Sequence, residues 1–391
     1  MSPGRCSGKF RAASGLAMAP LVAVGLARFS YALLLPAMRA DLGWSYAEAG
    51  ALNTANAAGY LAGAIVAAGI AARVGARRAF VAGLFVTALA LIASAGADAL
   101  AWHMAWRALA GAAGAIAFVA GAGLAVSLGR GGFAIATYFG GGGAGVLVSS
   151  LIVPPALAAG WRLGWIVMGA AALAALAFAL WAVPARAAAS AGNAALAHDP
   201  RPVPLAPTYL AYLCFGAGYI GYMTFIIALL RAGNVAPALA TSFWAVLGLA
   251  SVTSCYGWGA VFTRLSPAGA MVAAMLVVAL GAALLLVSVA PVDLYASAVL
   301  FGAAVMAMPG AVTVSAQAAL PAHQWTEAVG RLTALFGVGQ CVGPLAAGYL
   351  ADRGAGLETG LMASAALLAV GVAAAAFQRG RRSIAGLSQI G

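Results

Sequence analysis

Twelve apolar segments, each long enough to cross a bilayer, constrain this chain more than any other feature. A helix of about 20 residues spans the ~30 Å hydrocarbon core of a membrane. Charged residues make up 7% of the chain, whereas soluble domains carry about 25%, so a soluble fold could not cover its surface. We therefore expect an all-α membrane protein of twelve transmembrane helices. The spans are predicted near residues 15–37, 48–71, 79–97, 99–128, 133–158, 163–183, 208–231, 239–262, 268–290, 294–318, 326–350 and 357–377.

The connections between spans are short, except for residues 184–207, which are rich in Pro, Ala and charge. This stretch is predicted to be a cytoplasmic linker between an N-terminal six-helix bundle, 1–183, and a C-terminal six-helix bundle, 208–391. An offset of about 191 residues brings like residues of the two halves together. It places Arg73 on Arg264, Gly111 on Gly302 and Arg162 on Arg353. Such a duplication is typical of transporters that bind their substrate between the halves.

The net charge of +12 does not indicate nucleic-acid binding, because the basic residues are distributed by membrane side. If the N-terminus is cytoplasmic, fourteen Lys and Arg residues face inward and four face outward. This bias predicts that both termini are cytoplasmic. One Lys against nineteen Arg, with abundant Ala and Gly, indicates a GC-rich bacterium, so we expect a multi-pass protein of the bacterial inner membrane.

Two loop motifs and one helix motif resemble those of a known family. The residues after span 2 read Ala68-x-x-x-Ala72-Arg73-x-Gly75-Ala76-Arg77-Arg78, with a shorter twin that ends at Thr263-Arg264-x-Ser266. Span 11 carries Gly339-x-x-x-Gly343-Pro344. Together these resemble motifs of the major facilitator superfamily, although both loop motifs lack the usual Asp. The resemblance implies secondary transport, with conformational or gating roles for Arg73, Gly75, Arg77, Arg264, Gly343 and Pro344.

Spans 1 and 7 carry a narrower resemblance. The segments Gly25 to Pro36 and Phe215 to Phe225 are similar to a poorly characterised bacterial branch labelled arabinose-efflux-permease-like. That branch implies no secure substrate.

Two arginines, Arg28 and Arg107, lie inside spans. A charge at the centre of a membrane helix costs about 2.5–3.5 kcal/mol on insertion scales, so each needs a physical reason. No Asp or Glu lies in the middle of a span. The arginines are predicted to bind an anionic substrate, with Tyr31 on the same helical face as Arg28. The alternative is that both guanidinium groups cap carbonyls and hold helices together.

Other polar and aromatic residues of the spans are candidates for the substrate-binding surface. They share helical faces at spacings of three, four or seven residues, although helix packing would explain each one equally. His103 shares a face with Arg107 and is a possible proton site, the alternative being an interfacial residue beside Trp102 and Trp106. The further substrate-binding candidates are Asn53, Asn56, Tyr138, Tyr219, Tyr222, Phe336 and Gln340.

These features favour a secondary transporter of a small organic anion. Lys9 is the only Lys, which excludes a phosphate-binding loop and so an ATP-driven pump. The three distant His residues and the lack of a mid-span carboxylate argue against an enzyme. Efflux of a neutral sugar or drug-like compound, and a non-transporting sensor, remain alternatives. We expect a monomer whose partners are the substrate, the lipid bilayer and a coupling proton, with no cofactor or metal.

Overall fold

The computed structural model describes residues 3–128, 132–184, 204–321, 324–354 and 356–378. Within these ranges, twelve helices are long and apolar enough to cross a membrane. This confirms the predicted all-α membrane fold. We number the helices α1 Gly8–Leu42, α2 Tyr46–Val74, α3 Ala76–Ala93, α4 Leu100–Ser127, α5 Phe133–Leu157, α6 Trp161–Ala182, α7 Ala206–Ala232, α8 Pro237–Arg264, α9 Pro267–Val287, α10 Pro291–Ala319, α11 Glu327–Arg353 and α12 Leu357–Ala376.

Part of the sequence interpretation falls on residues outside these ranges. Residues 185–203 of the predicted linker are among them, so the linker itself stays a prediction. The same holds for several arginines on which the predicted orientation rests: Arg130, Arg186, Arg201, Arg379, Arg381 and Arg382.

Local sequence explains where several helices begin and end. At the start of α2, the Ser45 hydroxyl accepts a hydrogen bond from the Glu48 backbone N–H, and the Glu48 carboxylate accepts one from the Ser45 backbone N–H. This capping box satisfies backbone donors that would otherwise lack partners. Gly75 separates α2 from α3 with a φ of 91°, a backbone conformation that side-chain-bearing residues rarely adopt. Proline stands at the first helical position of α8, α9 and α10, where its missing N–H costs nothing.

Helices α1 and α7 form the centre of the bundle. In each of them, 89% of the most apolar 18-residue window is buried, the highest share among the twelve helices. We call the end where α1 and α7 begin the terminal end. The end that carries the connections from α1 to α2 and from α7 to α8 is the distal end. Residues that project from α1 and α7 toward each other are thus removed from the bundle surface.

Helix α1 is irregular in its middle. Pro20 supplies no backbone N–H, and a π-helical segment, Leu21–Phe29, follows it directly. The Ser30 backbone N–H donates to the Gly25 carbonyl five residues earlier, at 3.1 Å. The Gly25 backbone packs against the backbone of Gly145 in α5, so neither position has room for a side chain. The wider turn rotates the residues before Ser30 relative to those after it.

Helices α2 and α11 pack along each other and connect the first six helices to the last six. At the distal end, the Asp352 carboxylate accepts hydrogen bonds from the backbone N–H groups of Tyr46, at 2.9 Å, and Ala47, at 2.8 Å. Gly50 and Gly348 allow the two backbones to approach closely. Helices α5 and α8 make the corresponding contact on another side of the bundle. We refer to the α2–α11 contact as the α2–α11 seam.

Candidate functional site

Arg28 projects from the π-helical segment of α1 into the interior. Its side chain is almost fully buried, with 3% of its surface exposed. The guanidinium Nε donates to the Asn56 Oδ1 at 3.0 Å, and its Cζ lies 4.3 Å from the centre of the Tyr60 ring. Both partners belong to α2, at the two positions where its helical face turns toward α1.

The remaining nitrogens of Arg28 have fewer partners. The Nη2 atom is buried and has no hydrogen-bond partner within the described part of the chain. The Tyr219 hydroxyl of α7 lies within electrostatic reach of the guanidinium, and this hydroxyl also accepts a hydrogen bond from the Gln340 side chain of α11. We call Arg28, Asn56, Tyr60, Tyr219 and Gln340 the central cluster. It joins α1, α2, α7 and α11 around a buried cation that has unused donor capacity.

A column of aromatic rings borders the central cluster. The Phe336 ring lies 4.5 Å from that of Tyr212 and 5.7 Å from that of Tyr219, measured between ring centres and with nearly parallel planes. Phe215 stacks on Tyr219 at 4.8 Å. Of the predicted substrate-binding residues, the structure therefore brings Arg28, Asn56, Tyr219, Phe336 and Gln340 together.

Arg107 is also buried, and each of its three guanidinium nitrogens has a protein partner. Its guanidinium donates to the carbonyls of Ala27 and Leu52 and to the Asn53 side chain. It also lies against the rings of Tyr31 and Trp165, at 5.1 and 5.6 Å. The geometry thus agrees with the alternative interpretation of Arg107, in which it holds α1, α2 and α4 together.

Tyr31 faces this Arg107 side of α1 and not the central cluster. Its hydroxyl donates to the Ala49 carbonyl at 3.0 Å, and its ring stacks on Trp165. The expectation that Tyr31 shares a face with Arg28 assumed regular α-helical spacing, which the π-helical turn between them removes.

Two further tyrosines have partners away from the central cluster. The Tyr138 hydroxyl donates to the Phe118 carbonyl of α4. The Tyr222 hydroxyl pairs with Ser297 of α10 at 2.9 Å, and its ring stacks on Phe301 at 4.4 Å. Neither tyrosine is placed beside Arg28.

Asn53 forms a polar contact between the first six and the last six helices. Its Oδ1 accepts from Arg107, and its Nδ2 donates to the Thr224 hydroxyl of α7 at 2.7 Å. Asn56, one turn further along α2, links the two arginines because its Nδ2 donates to the Arg107 carbonyl at 3.1 Å.

The residues with predicted conformational roles lie at helix ends or close helix contacts. Arg73 and Arg264 are exposed in the last turns of α2 and α8. The Arg77 guanidinium donates to the carbonyl of Val183, the residue that ends α6, at 3.4 Å. Gly343 allows α11 to touch the Ala217 backbone of α7, and the Pro344 carbonyl lies against Gly50.

His103 is fully buried between two indole rings. Its ring centre lies 5.3 Å from Trp44 and 5.4 Å from Trp161, both in edge-on geometry. Neither ring nitrogen has a hydrogen-bond partner among the residues that the structure describes. The rings that contact His103 are those of Trp44 and Trp161, and a proton role for His103 stays a prediction.

Sequence reasoning did not assign Asp352 or Thr224 to a site. The helical spacing of Asn53, Asn56 and Tyr60 did place Tyr60 on the polar face of α2. Asp352 and Thr224 contact residues about 306 and 171 positions away, and no local pattern marks such pairs.

Twelve membrane-length helices, two of them buried at the centre and sharing a polar cluster, define a membrane transporter fold. The chain belongs to the family described as uncharacterised MFS-type transporter YbfB, which matches residues 20–376. This confirms membership of the major facilitator group, whose members are transporters and not enzymes. The match does not confirm the narrower arabinose-efflux-permease-like branch.

Solved structures of the same fold have low sequence identity to the chain. The nucleoside transporter NupG is 14% identical with a TM-score of 0.70, over 94% of this chain and 97% of that one. A mutant of the peptide transporter POT is 14% identical with a TM-score of 0.73, over 95% and 94%. The human organic anion transporter MFSD10 (TETRAN) is 15% identical with a TM-score of 0.61, over 96% and 100%. No curated protein matches the sequence.

Proposed function

We propose that this protein transports a small organic anion by alternating access, and that Arg28 binds the anionic group. The observation that carries the proposal is the buried Arg28 guanidinium, whose Nη2 has no hydrogen-bond partner in the ranges that the structure describes. Burial of an unpaired charge is costly, and a carboxylate or phosphate oxygen at Nη2 would remove this cost.

The surroundings of Arg28 suit an anion better than a neutral ligand. Asn56 and Tyr219 offer it neutral dipoles, and no acid is among the partners of Arg28 in the described part of the chain. A bound carboxylate would supply the missing counter-charge, and the planar guanidinium fork matches its two oxygens. The fold alone does not select a substrate, because the titles of its structural neighbours name nucleosides, peptides and organic anions.

Alternating access requires the substrate site to lie where the two sets of helices meet. The central cluster takes residues from α1 and α2 and from α7 and α11, on opposite sides of that contact. We propose that residues 1–183 and 208–391 rock against each other as two bundles about this cluster. In the proposed orientation, the terminal end faces the cytoplasm of a bacterial cell.

Binding to the purified protein in detergent tests the role of Arg28. A panel of carboxylates, phosphorylated compounds, neutral sugars and drug-like amines would be screened by thermal shift, and each hit would be titrated by calorimetry. Arg28→Gln removes the charge, and we expect it to weaken anion binding about 10- to 150-fold, the equivalent of one charge-assisted hydrogen bond. Arg28→Lys keeps the charge without the fork and should weaken carboxylate binding as well.

Arg162→Gln is the matched control, because it removes one positive charge at an exposed ion pair with Asp98. It should leave anion affinity unchanged. If a neutral sugar or drug binds Arg28→Gln as tightly as the wild type, the anion proposal is wrong and efflux of a neutral compound is favoured. Counterflow of the labelled ligand in proteoliposomes then separates a transporter from a sensor, since a sensor binds without exchange.

A further inference from the structure

A cavity lies where α5, α8 and α10 meet, toward the terminal end of the bundle. Its volume is about 390 Å³, and Phe139, Trp258, Phe262 and Met306 contribute its largest side chains. We propose that this cavity receives the apolar part of the transported anion, so that the substrate is an amphipathic organic acid with an aromatic or long alkyl group. The inference rests on the proposed binding of the anionic group at Arg28.

The chemistry of the lining selects an apolar guest. Three of the lining side chains carry polar atoms, and each one donates to a backbone carbonyl of its own surroundings. The Ser254 hydroxyl and the Cys255 thiol donate to the Ser251 carbonyl at 2.9 and 3.4 Å, and the Trp258 indole N–H donates to the Ala303 carbonyl at 2.6 Å. These donors are occupied, so apolar contact dominates what the lining offers a ligand. Pockets of this size lined by aromatic and aliphatic groups suit small apolar moieties.

Small residues and a break in α10 create the space. Helix α10 consists of two segments, Pro291–Val305 and Met308–Ala319, and Pro309 follows the break directly. Gly259 and Gly310 line the cavity from α8 and α10. A Cβ at Gly259 would meet no atom within 4 Å. The cavity is therefore open at a position where a larger residue would fit.

A series of rings connects this cavity to Arg28. The Arg28 Cζ lies 4.3 Å from the Tyr60 ring centre, which is 6.1 Å from that of Phe118. The Phe118 ring is 5.9 Å from that of Phe139, a lining residue of the cavity. The anion-binding group and the cavity wall are thus linked by three successive contacts that involve aromatic rings.

A second path through α1 leads to the same cavity. Val24 precedes Arg28 by four residues, which is about one turn of the π-helical segment. A Cβ at Gly142 of α5 would meet the Val24 Cγ1 at 3.7 Å and the Met306 Sδ at 3.6 Å. Val24 is half-buried although most of α1 is fully buried. Val24, one turn from Arg28, and Met306, at the cavity, thus both lie close to Gly142.

The test compares two acids that share a carboxylate and differ in their apolar part. Propanoate reaches Arg28 only, whereas 5-phenylpentanoate extends from Arg28 toward the cavity. We expect the wild type to bind the longer acid more tightly. Gly259→Leu fills the cavity and should weaken binding of 5-phenylpentanoate about 10- to 150-fold, the value of burying one phenyl-sized group. It should leave propanoate binding unchanged, and Gly259→Ala should give a smaller loss.

Gly257→Leu is the control, because Gly257, like Gly259, is an exposed position of the same helix with no atom within 4 Å of an added Cβ, but Gly259 lines the cavity and Gly257 does not. It should affect neither acid. If the wild type binds both acids equally, or if Gly259→Leu and Gly257→Leu act alike on the longer acid, the cavity inference is wrong. If Arg28→Gln changes the binding of neither acid while Gly259→Leu still weakens the longer one, the proposed anion site fails and the cavity alone stands.

Discussion

Arg28 and Arg107 are both buried charged residues, but they differ in their hydrogen-bond partners. Each guanidinium nitrogen of Arg107 donates to a carbonyl or an amide oxygen, whereas the Arg28 Nη2 has no hydrogen-bond partner among the described residues. A guanidinium whose three nitrogens already have acceptors has less to offer a ligand. Arg107 therefore links α1, α2 and α4, and we propose that Arg28 is the group that binds the substrate.

Arg107→Lys and Arg28→Lys should show opposite phenotypes. Arg107→Lys loses the fixed fork that joins α1, α2 and α4, so we expect a loss of about 1.5–3 kcal/mol in the free energy of unfolding for each charged hydrogen bond lost. Its anion affinity should change little. Arg28→Lys should keep a near-normal melting temperature and bind the anion weakly. Thermal melts and calorimetric titrations of both variants decide the matter, and equal loss of affinity in the two would contradict this division of roles.

The sequence alone predicted that both arginines need a reason to lie in the membrane, because burial of charge has a known cost. It could not predict which arginine is satisfied. The acceptors of Arg107 are backbone carbonyls of Ala27 and Leu52, and carbonyls occur at every residue. Helical spacing also put Tyr31 beside Arg28, since the pattern gives no warning of a π-helical turn.

The π-helical segment of α1 depends on close packing against α5. Gly25 touches the backbone of Gly145 and the carbonyl of Gly142, so an added Cβ would meet backbone and not a movable side chain. This contact holds the segment that carries Arg28 at a fixed distance from α5. Glycine at position 25 thus supports the site through packing.

Gly25→Ala should lower stability by about 1–3 kcal/mol, as expected when a well-packed contact is overfilled. Gly8→Ala, in the same helix, is the control, because a Cβ at Gly8 would meet no atom within 4 Å. It should be neutral or slightly stabilising, since Ala favours a helix over Gly. Melting curves of the two variants provide the measurement, and a stable Gly25→Ala protein would show that α1 and α5 can separate freely.

The Asp352 carboxylate holds the distal end of the α2–α11 seam through the N-terminus of α2. A negative charge at an exposed helix N-terminus contributes about 0.3–1 kcal/mol. Asp352→Asn removes this charge. The equilibrium constant for opening of the seam should therefore rise roughly two- to fivefold. The half-buried Cys341, in the same seam, reports the change through its rate of maleimide labelling once Cys6, Cys214 and Cys255 are replaced by Ser.

Glu358→Gln is the control for Asp352→Asn, because Glu358 is an exposed acid at the same end, in the first turn of α12. Its loss should leave the labelling rate unchanged. Equal labelling of Asp352→Asn and wild type would mean that the Asp352 contacts do not hold the seam.

The general architecture followed from the sequence, and the contacts between distant helices did not. Runs of apolar residues predict spans because the bilayer imposes one length on all of them. The offset of like residues predicts a duplication, which stays a proposal. Nothing local shows that Thr54 of α2 would donate to the Cys341 carbonyl of α11 at 2.6 Å. Such pairs depend on how the first six helices pack against the last six. Many sequences with the same twelve spans could pack these two sets of helices differently.

The contact between Thr54 and Cys341 offers a direct test of alternating access. Thr54 and Cys341 lie on opposite sides of the α2–α11 seam, so a disulfide between Thr54→Cys and the native Cys341 would tie the two sets of helices together. If transport requires the seam to open, the oxidised protein should not exchange labelled substrate in proteoliposomes. Reduction with dithiothreitol should restore exchange. In the same protein without the Thr54→Cys change, the oxidant should not alter the exchange of labelled substrate. Full exchange by a protein shown by mass spectrometry to be cross-linked would contradict alternating access through this seam, because a locked α2–α11 contact leaves the two helix sets no relative movement there.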